Sequence, residues 1–160
     1  MSFMLLGFWW AIVTFKHDLW MGSPEVRRVA TSLTLHFLLP GVMSLISLLG
    51  VNNSALWRTG FLLASLAGAK AAVNGHQAQE RGMFAGRNWI LRHGWKGLFV
   101  LYFLIAVVAA GGSDLIQALG MGLVPLEIEG VLVGSELLLG AHFAWSLFVE
   151  AGRAQGRSDH

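Results

Sequence analysis

Four ionisable side chains fall inside long apolar stretches of the sequence, where they could carry chemistry: His36, Lys70, Glu136 and His142. An ionisable group costs free energy inside a bilayer, so such residues often bind a cofactor, relay protons or pair with one another. The helices that carry His36 and His142 are predicted to run antiparallel. At a rise of 1.5 Å per residue, both histidines lie about 10–12 Å below the same membrane surface.

Two imidazoles at one depth could approach an iron from opposite faces, which is the axial geometry of haem b. A (bacterio)chlorophyll would need only one of them. His36 and His142 are therefore candidate axial ligands of a tetrapyrrole metal. The alternatives are a proton relay, or a hydrogen bond from each histidine to a neighbouring helix that only holds the bundle together.

Glu136 is a candidate protonatable carboxyl group on a proton or cation path. Its alternative role is a hydrogen bond, or an ion pair with Arg58, because both are predicted near the same end of their helices. Lys70 lies one to two turns from the end of its helix, so its ammonium group can extend to the interface. A structural role is the simpler interpretation of Lys70.

The sequence lacks the residues that several classes of enzyme need for catalysis. The chain has no cysteine, which excludes thiolate metal sites and a cysteine nucleophile. It also lacks a Walker loop, an HExxH motif and a G-x-S-x-G motif. We therefore expect that the chain is not an enzyme by itself.

The composition indicates which solvent surrounds these residues. Of 160 residues, 55% are hydrophobic and only 12% are charged, which is typical of a chain that faces lipid. The net charge of +2 needs no nucleic-acid partner, since the basic residues are explained by membrane topology. The expected partner is the lipid bilayer.

The apolar stretches predict one all-α membrane domain, 1–160, with about five transmembrane helices. A span needs about 20 apolar residues. The predicted spans are 2–20, 29–51, 55–74, 95–110 and 130–149. A short interfacial helix is predicted within 113–126, and a polar tail in 150–160.

Basic residues predict the orientation, because loops rich in Lys and Arg stay in the cytoplasm. Nine of the eleven Lys and Arg residues fall in three segments of the sequence. A chain with five spans places all three segments on the same side of the membrane. These are Lys16, Arg27 and Arg28; Arg81, Arg87, Arg92 and Lys96; and Arg153 and Arg157. The N-terminus is therefore predicted outside, and the C-terminus in the cytoplasm, of a bacterial inner membrane.

Three functions remain open. The first is an accessory or cofactor-holding subunit of a redox or energy-transducing complex, with His36 and His142 as ligands. The second is a proton- or ion-coupled transporter or channel component that uses Glu136 and an intramembrane histidine. The third is a purely structural membrane subunit. Each implies other membrane subunits or further copies of this chain as partners.

Overall fold

A computed structural model describes residues 2–15, 24–50, 53–81, 89–112, 120 and 125–158. Within them the chain forms five α-helices, a π-helical segment and no strand, so the all-helical prediction is confirmed. The helices are α1 (Ser2–Phe15), α2 (Pro24–Leu49), α3 (Ser54–Arg81), α4 (Trp89–Val107) and α5 (Pro125–Ser158), and the π-helix Val108–Gly112 follows α4.

Three segments are long and apolar enough to cross a membrane: Pro24–Leu49, His93–Gly111 and Pro125–Val149. They correspond to the predicted spans 29–51, 95–110 and 130–149. The other two helices differ from these: α1 is apolar but has only 14 residues, and α3 is long but carries Arg58 and Lys70 within it.

The start of α2 follows from its residues. Pro24 occupies the first helical position, where its missing N–H costs nothing, and Glu25 lies in the first turn, where the helix dipole favours an acid. The helix continues through Pro40, which cannot donate a backbone hydrogen bond. Near this proline α2 is also joined to α1, because the Ser2 hydroxyl donates to the carbonyl oxygen of Phe37.

The helix ends differ from prediction mainly in α5. This helix begins at Pro125 and continues to Ser158, so it includes most of the predicted polar tail. The predicted interfacial segment 113–126 lies largely outside the described residues, and its last two residues belong to the first turn of α5. The earlier start of the helix moves Glu136 away from the helix end and to the middle of the candidate span Pro125–Val149.

The helices α2, α3, α4 and α5 each contact the next, and α5 closes the ring against α2, while α1 lies against α2. Small residues of α3 permit close approach to α4, as expected of them. A Cβ atom at Gly68 would overlap the ring of Tyr102, and one at Gly75 would overlap that of Trp95. These two aromatic side chains are thereby held in the centre of the bundle.

Candidate functional site

Three side chains that can exchange protons meet in the centre of the bundle: His36 of α2, Tyr102 of α4 and Glu136 of α5. Each is 0% exposed. Each also lies near the middle of one of the three segments that could span a membrane. We call these three residues the central polar cluster.

The imidazole of His36 connects the other two groups. Its Nδ1 atom lies 3.0 Å from the Tyr102 hydroxyl and 4.0 Å from Oε1 of Glu136. The Tyr102 hydroxyl also interacts with the Glu136 carboxyl group, although neither carboxyl oxygen meets hydrogen-bond geometry with the described residues. A proton can therefore move among an imidazole, a phenol and a carboxyl group by short shifts of side chains.

Three polar atoms of the central polar cluster, one nitrogen and two oxygens, are left unsatisfied. His36 Nε2 and both oxygens of Glu136 have no hydrogen-bond partner among the described residues. An unpaired buried polar atom costs about 1–3 kcal/mol. His36 Nε2 and the Glu136 oxygens can therefore each form a further hydrogen bond.

Aromatic rings enclose the imidazole of His36. The ring of Trp95 lies 5.5 Å from it and that of Tyr102 lies 5.4 Å from it, centroid to centroid. The Trp95 indole is fixed in turn, since its Nε1 donates to Oε1 of Gln79 at 2.6 Å. The imidazole of His36 is therefore packed against two aromatic side chains, and the orientation of one of them, Trp95, is fixed by a hydrogen bond.

A second buried carboxyl group lies on the same side of α5. Glu129 is 0% exposed and precedes Glu136 by seven residues, which places both on one face of the helix. Arg58 of α3 acts on the Glu129 carboxylate electrostatically. The two acids lie about 10 Å apart along the helix axis at 1.5 Å per residue.

The predicted site residues are brought together only in part. His36 and Glu136 meet, but His142 is exposed on the opposite side of α5. The two histidines therefore do not face each other across a common plane within this chain. Arg58 lies near Glu129 and over the ring of Trp57, at 5.6 Å. Lys70 is exposed on α3, away from the cluster.

Sequence reasoning missed two residues of the site. Neither Tyr102 nor Glu129 is among the site residues predicted from the sequence. A signal was present for Tyr102, because it is the lone tyrosine of the chain and sits in an otherwise apolar span. No sequence signal placed Glu129, whose burial depends on the early start of α5 at Pro125.

Among the residues that the structure describes, no three His, Asp or Glu side chains form a group that could hold a metal ion. Comparison of the chain with protein families, curated proteins and solved structures finds no match. Function is therefore inferred from the geometry of the central polar cluster.

Proposed function

We propose that this chain is a multi-pass protein of a bacterial inner membrane and a component of a proton- or ion-coupled transporter or channel. In this proposal the central polar cluster is the proton-binding site. The observation that carries it is the contact of His36 Nδ1 with both the Tyr102 hydroxyl and the Glu136 carboxyl group, fully buried at mid-helix.

The central polar cluster supports proton binding because its groups can share one proton. A neutral imidazole beside a protonated Glu136 and an imidazolium beside a carboxylate have the same net charge, so moving a proton between them forms an adjacent ion pair but leaves the net charge of the cluster unchanged. The Tyr102 hydroxyl can donate to Nδ1 of the neutral imidazole, and in the other state it can accept from the imidazolium while donating to the carboxylate. Ionisable residues in this position typify proton relays in pumps and transporters.

Glu129 supplies a route toward one membrane surface. It shares the face of α5 that carries Glu136, and its carboxylate is held near Arg58. The five-span orientation assigns this end of α5 to the outside. A proton entering there would reach Glu129 first and the central polar cluster second.

Proton flux into vesicles tests the proposal. The full chain is reconstituted in liposomes that contain a pH-sensitive dye, and a potassium diffusion potential drives the flux. We expect wild type to acidify the lumen faster than protein-free vesicles, and Glu136→Gln to reduce that rate about tenfold or more. Glu80→Gln, which removes an exposed acid of α3, is the matched control and should behave as wild type.

The two histidines provide a second matched pair. His36→Gln should reduce the flux, and His142→Gln should leave it unchanged, since only His36 belongs to the cluster. Equal flux in wild type, Glu136→Gln and protein-free vesicles would contradict the proposal. A purely structural role for the cluster predicts that these variants differ from wild type in stability alone.

A second candidate function is an accessory subunit of a redox or energy-transducing complex. The observation that favours it is His142, a polar side chain exposed beside Leu138 and Trp145, which are 71% and 64% exposed. An imidazole on an apolar surface is suited to ligation of haem b or a chlorophyll at a contact with another subunit. A Soret band in the purified native complex that persists after His36→Ala and His142→Ala would exclude both ligands.

A further inference from the structure

A cavity of about 490 Å³ opens between α2 and α3, at the end of the bundle where α2 begins and α3 finishes. Its volume lies within the range of small-ligand sites, about 300–1,000 Å³. Three arginines line it, Arg27 and Arg28 from the first turns of α2 and Arg81 from the last turn of α3. We call it the basic cavity.

The polar lining of the basic cavity consists largely of hydrogen-bond donors. The side-chain amides of Asn74 and Gln77 add to the three guanidinium groups, and all five side chains are exposed enough to turn into the opening. On α3, Asn74, Gln77 and Arg81 follow one another at a spacing of three and four residues, which places them on one face. Two helices therefore present donors to a common space.

Among the residues that the structure describes, no carboxylate lines this cavity. The acids nearest in sequence are Glu25 and Glu80, and Glu80 lies 3.4 Å from the imidazole of His76. Three positive charges thus meet across a gap between helices, and the described part of the lining carries no negative charge. Such an arrangement is unfavourable when the cavity is empty and favourable when it contains an anion.

The chemistry of the lining favours a phosphate group. The planar fork of a guanidinium matches two phosphate oxygens at once, and such charge-assisted pairs are about twice as strong as neutral hydrogen bonds. The position favours the phosphate of a lipid, because the cavity lies where the first candidate span begins, at Pro24. Basic pockets between helices at this level are known binding places for anionic headgroups.

We propose that the basic cavity binds the phosphate group of an anionic phospholipid, with Arg28 and Arg81 clamping it from opposite helices. Free phosphate has the same chemistry and is the other source to distinguish. The alternative is that these arginines serve only to keep this end of the helices on the cytoplasmic side of the membrane. In that case their positions around a cavity are without consequence, and any other interfacial cation should matter as much.

The test measures how much phosphatidylglycerol the purified full chain retains relative to phosphatidylcholine, by native mass spectrometry from mixed micelles. We expect the double change Arg28→Gln and Arg81→Gln to weaken phosphatidylglycerol binding about tenfold or more, because the charge-assisted hydrogen bonds from both guanidinium groups are lost. Lys96→Gln, which removes an exposed cation of α4 outside the basic cavity, is the control and should bind as wild type.

A charge-conserving variant protects the test against altered insertion. Arg28→Lys with Arg81→Lys keeps the topological charge but loses the guanidinium fork, so its binding should fall between wild type and the glutamine variant. Inorganic phosphate identifies the source. If it raises the melting temperature of wild type but not of the glutamine variant, and phosphatidylglycerol is not preferred, the site takes free phosphate.

Two results would overturn the inference. One is an equal loss of phosphatidylglycerol in the Arg28/Arg81 glutamine variant and in Lys96→Gln, with no effect of inorganic phosphate on either. The other is unchanged binding in the glutamine variant. Both would mean that general surface charge, not the basic cavity, attracts the anion.

Discussion

The two sides of α5 differ in the polarity of their side chains. The side that faces the bundle carries Glu129, Glu136 and Phe143, all 0% exposed. The opposite side carries large exposed apolar side chains and His142; the apolar ones are Val131, Leu138 and Trp145. Acids inside and hydrocarbon outside is the reverse of a water-soluble helix, and it is what a lipid solvent favours.

The bundle-facing side is not polar throughout. Phe143 follows Glu136 by two turns and packs edge-on against Trp95, with ring centroids 4.6 Å apart. Polar contact and tight aromatic packing therefore alternate along one face. The difference between the sides predicts that changes inside cost stability and changes outside do not.

The largest expected effect comes from Phe143→Ala. It should leave a cavity against Trp95 and Gly94 and lower the free energy of unfolding by about 3 kcal/mol. That value is the lower end for buried phenylalanine, since lipid already solvates apolar groups and only packing is lost. Trp145→Ala removes a larger ring from the outward side and should change stability little. Unfolding in mixed micelles measures both, and similar losses would contradict the comparison.

Two glycines should respond with opposite signs. A Cβ atom at Gly94 would lie 2.6 Å from Cδ2 of Phe143, whereas one at Gly134 of α5 would meet nothing within 4 Å. Gly94→Ala should therefore destabilise the bundle by about 1–3 kcal/mol through overpacking. Gly134→Ala should stabilise it by about 0.5–1 kcal/mol, because alanine loses less entropy in a helix. Melting temperatures of the two variants in detergent check the signs.

The histidines sharpen the comparison further. His36→Leu removes the group that contacts Tyr102 and Glu136, and should cost about 1.5 kcal/mol, near the upper limit for hydrogen bonds between membrane helices. His142→Leu places an apolar side chain on an apolar surface, so its stability should equal or exceed that of wild type. A loss for His142→Leu as large as that for His36→Leu would mean that both histidines are enclosed.

The composition, the lengths of the apolar stretches and the distribution of basic residues were enough to predict the helices. An apolar stretch of about 20 residues is typical of a membrane-spanning helix and of few other structures. The long helices α2 and α5 and the proline at the first position of α2 follow directly from the sequence. The end of α5 was harder to predict, since 150–158 is polar and does not continue the apolar stretch.

The site was only half predictable. His36 and Glu136 were identified by the cost of burying them, which sequence alone reveals. Their contact was not, because the predicted start of α5 at 130 placed Glu136 too near the helix end. Which way His142 points depends on the rotation of α5, and that is set by packing of Phe143 against α4, a property of the whole bundle.

The smallest effect expected is that of Tyr102→Phe, which deletes one hydroxyl and keeps the ring against Gly68. It should cost about 0.6 kcal/mol, the average for a hydrogen bond between membrane helices. Ser65→Ala is the matched control, since the Ser65 hydroxyl is also buried but donates only to the Phe61 carbonyl oxygen of its own helix. If the cluster moves protons, Tyr102→Phe should slow flux while Ser65→Ala does not, although both variants unfold almost as wild type does. Equal flux in the two variants would leave His36 and Glu136 as the working pair and remove Tyr102 from the path.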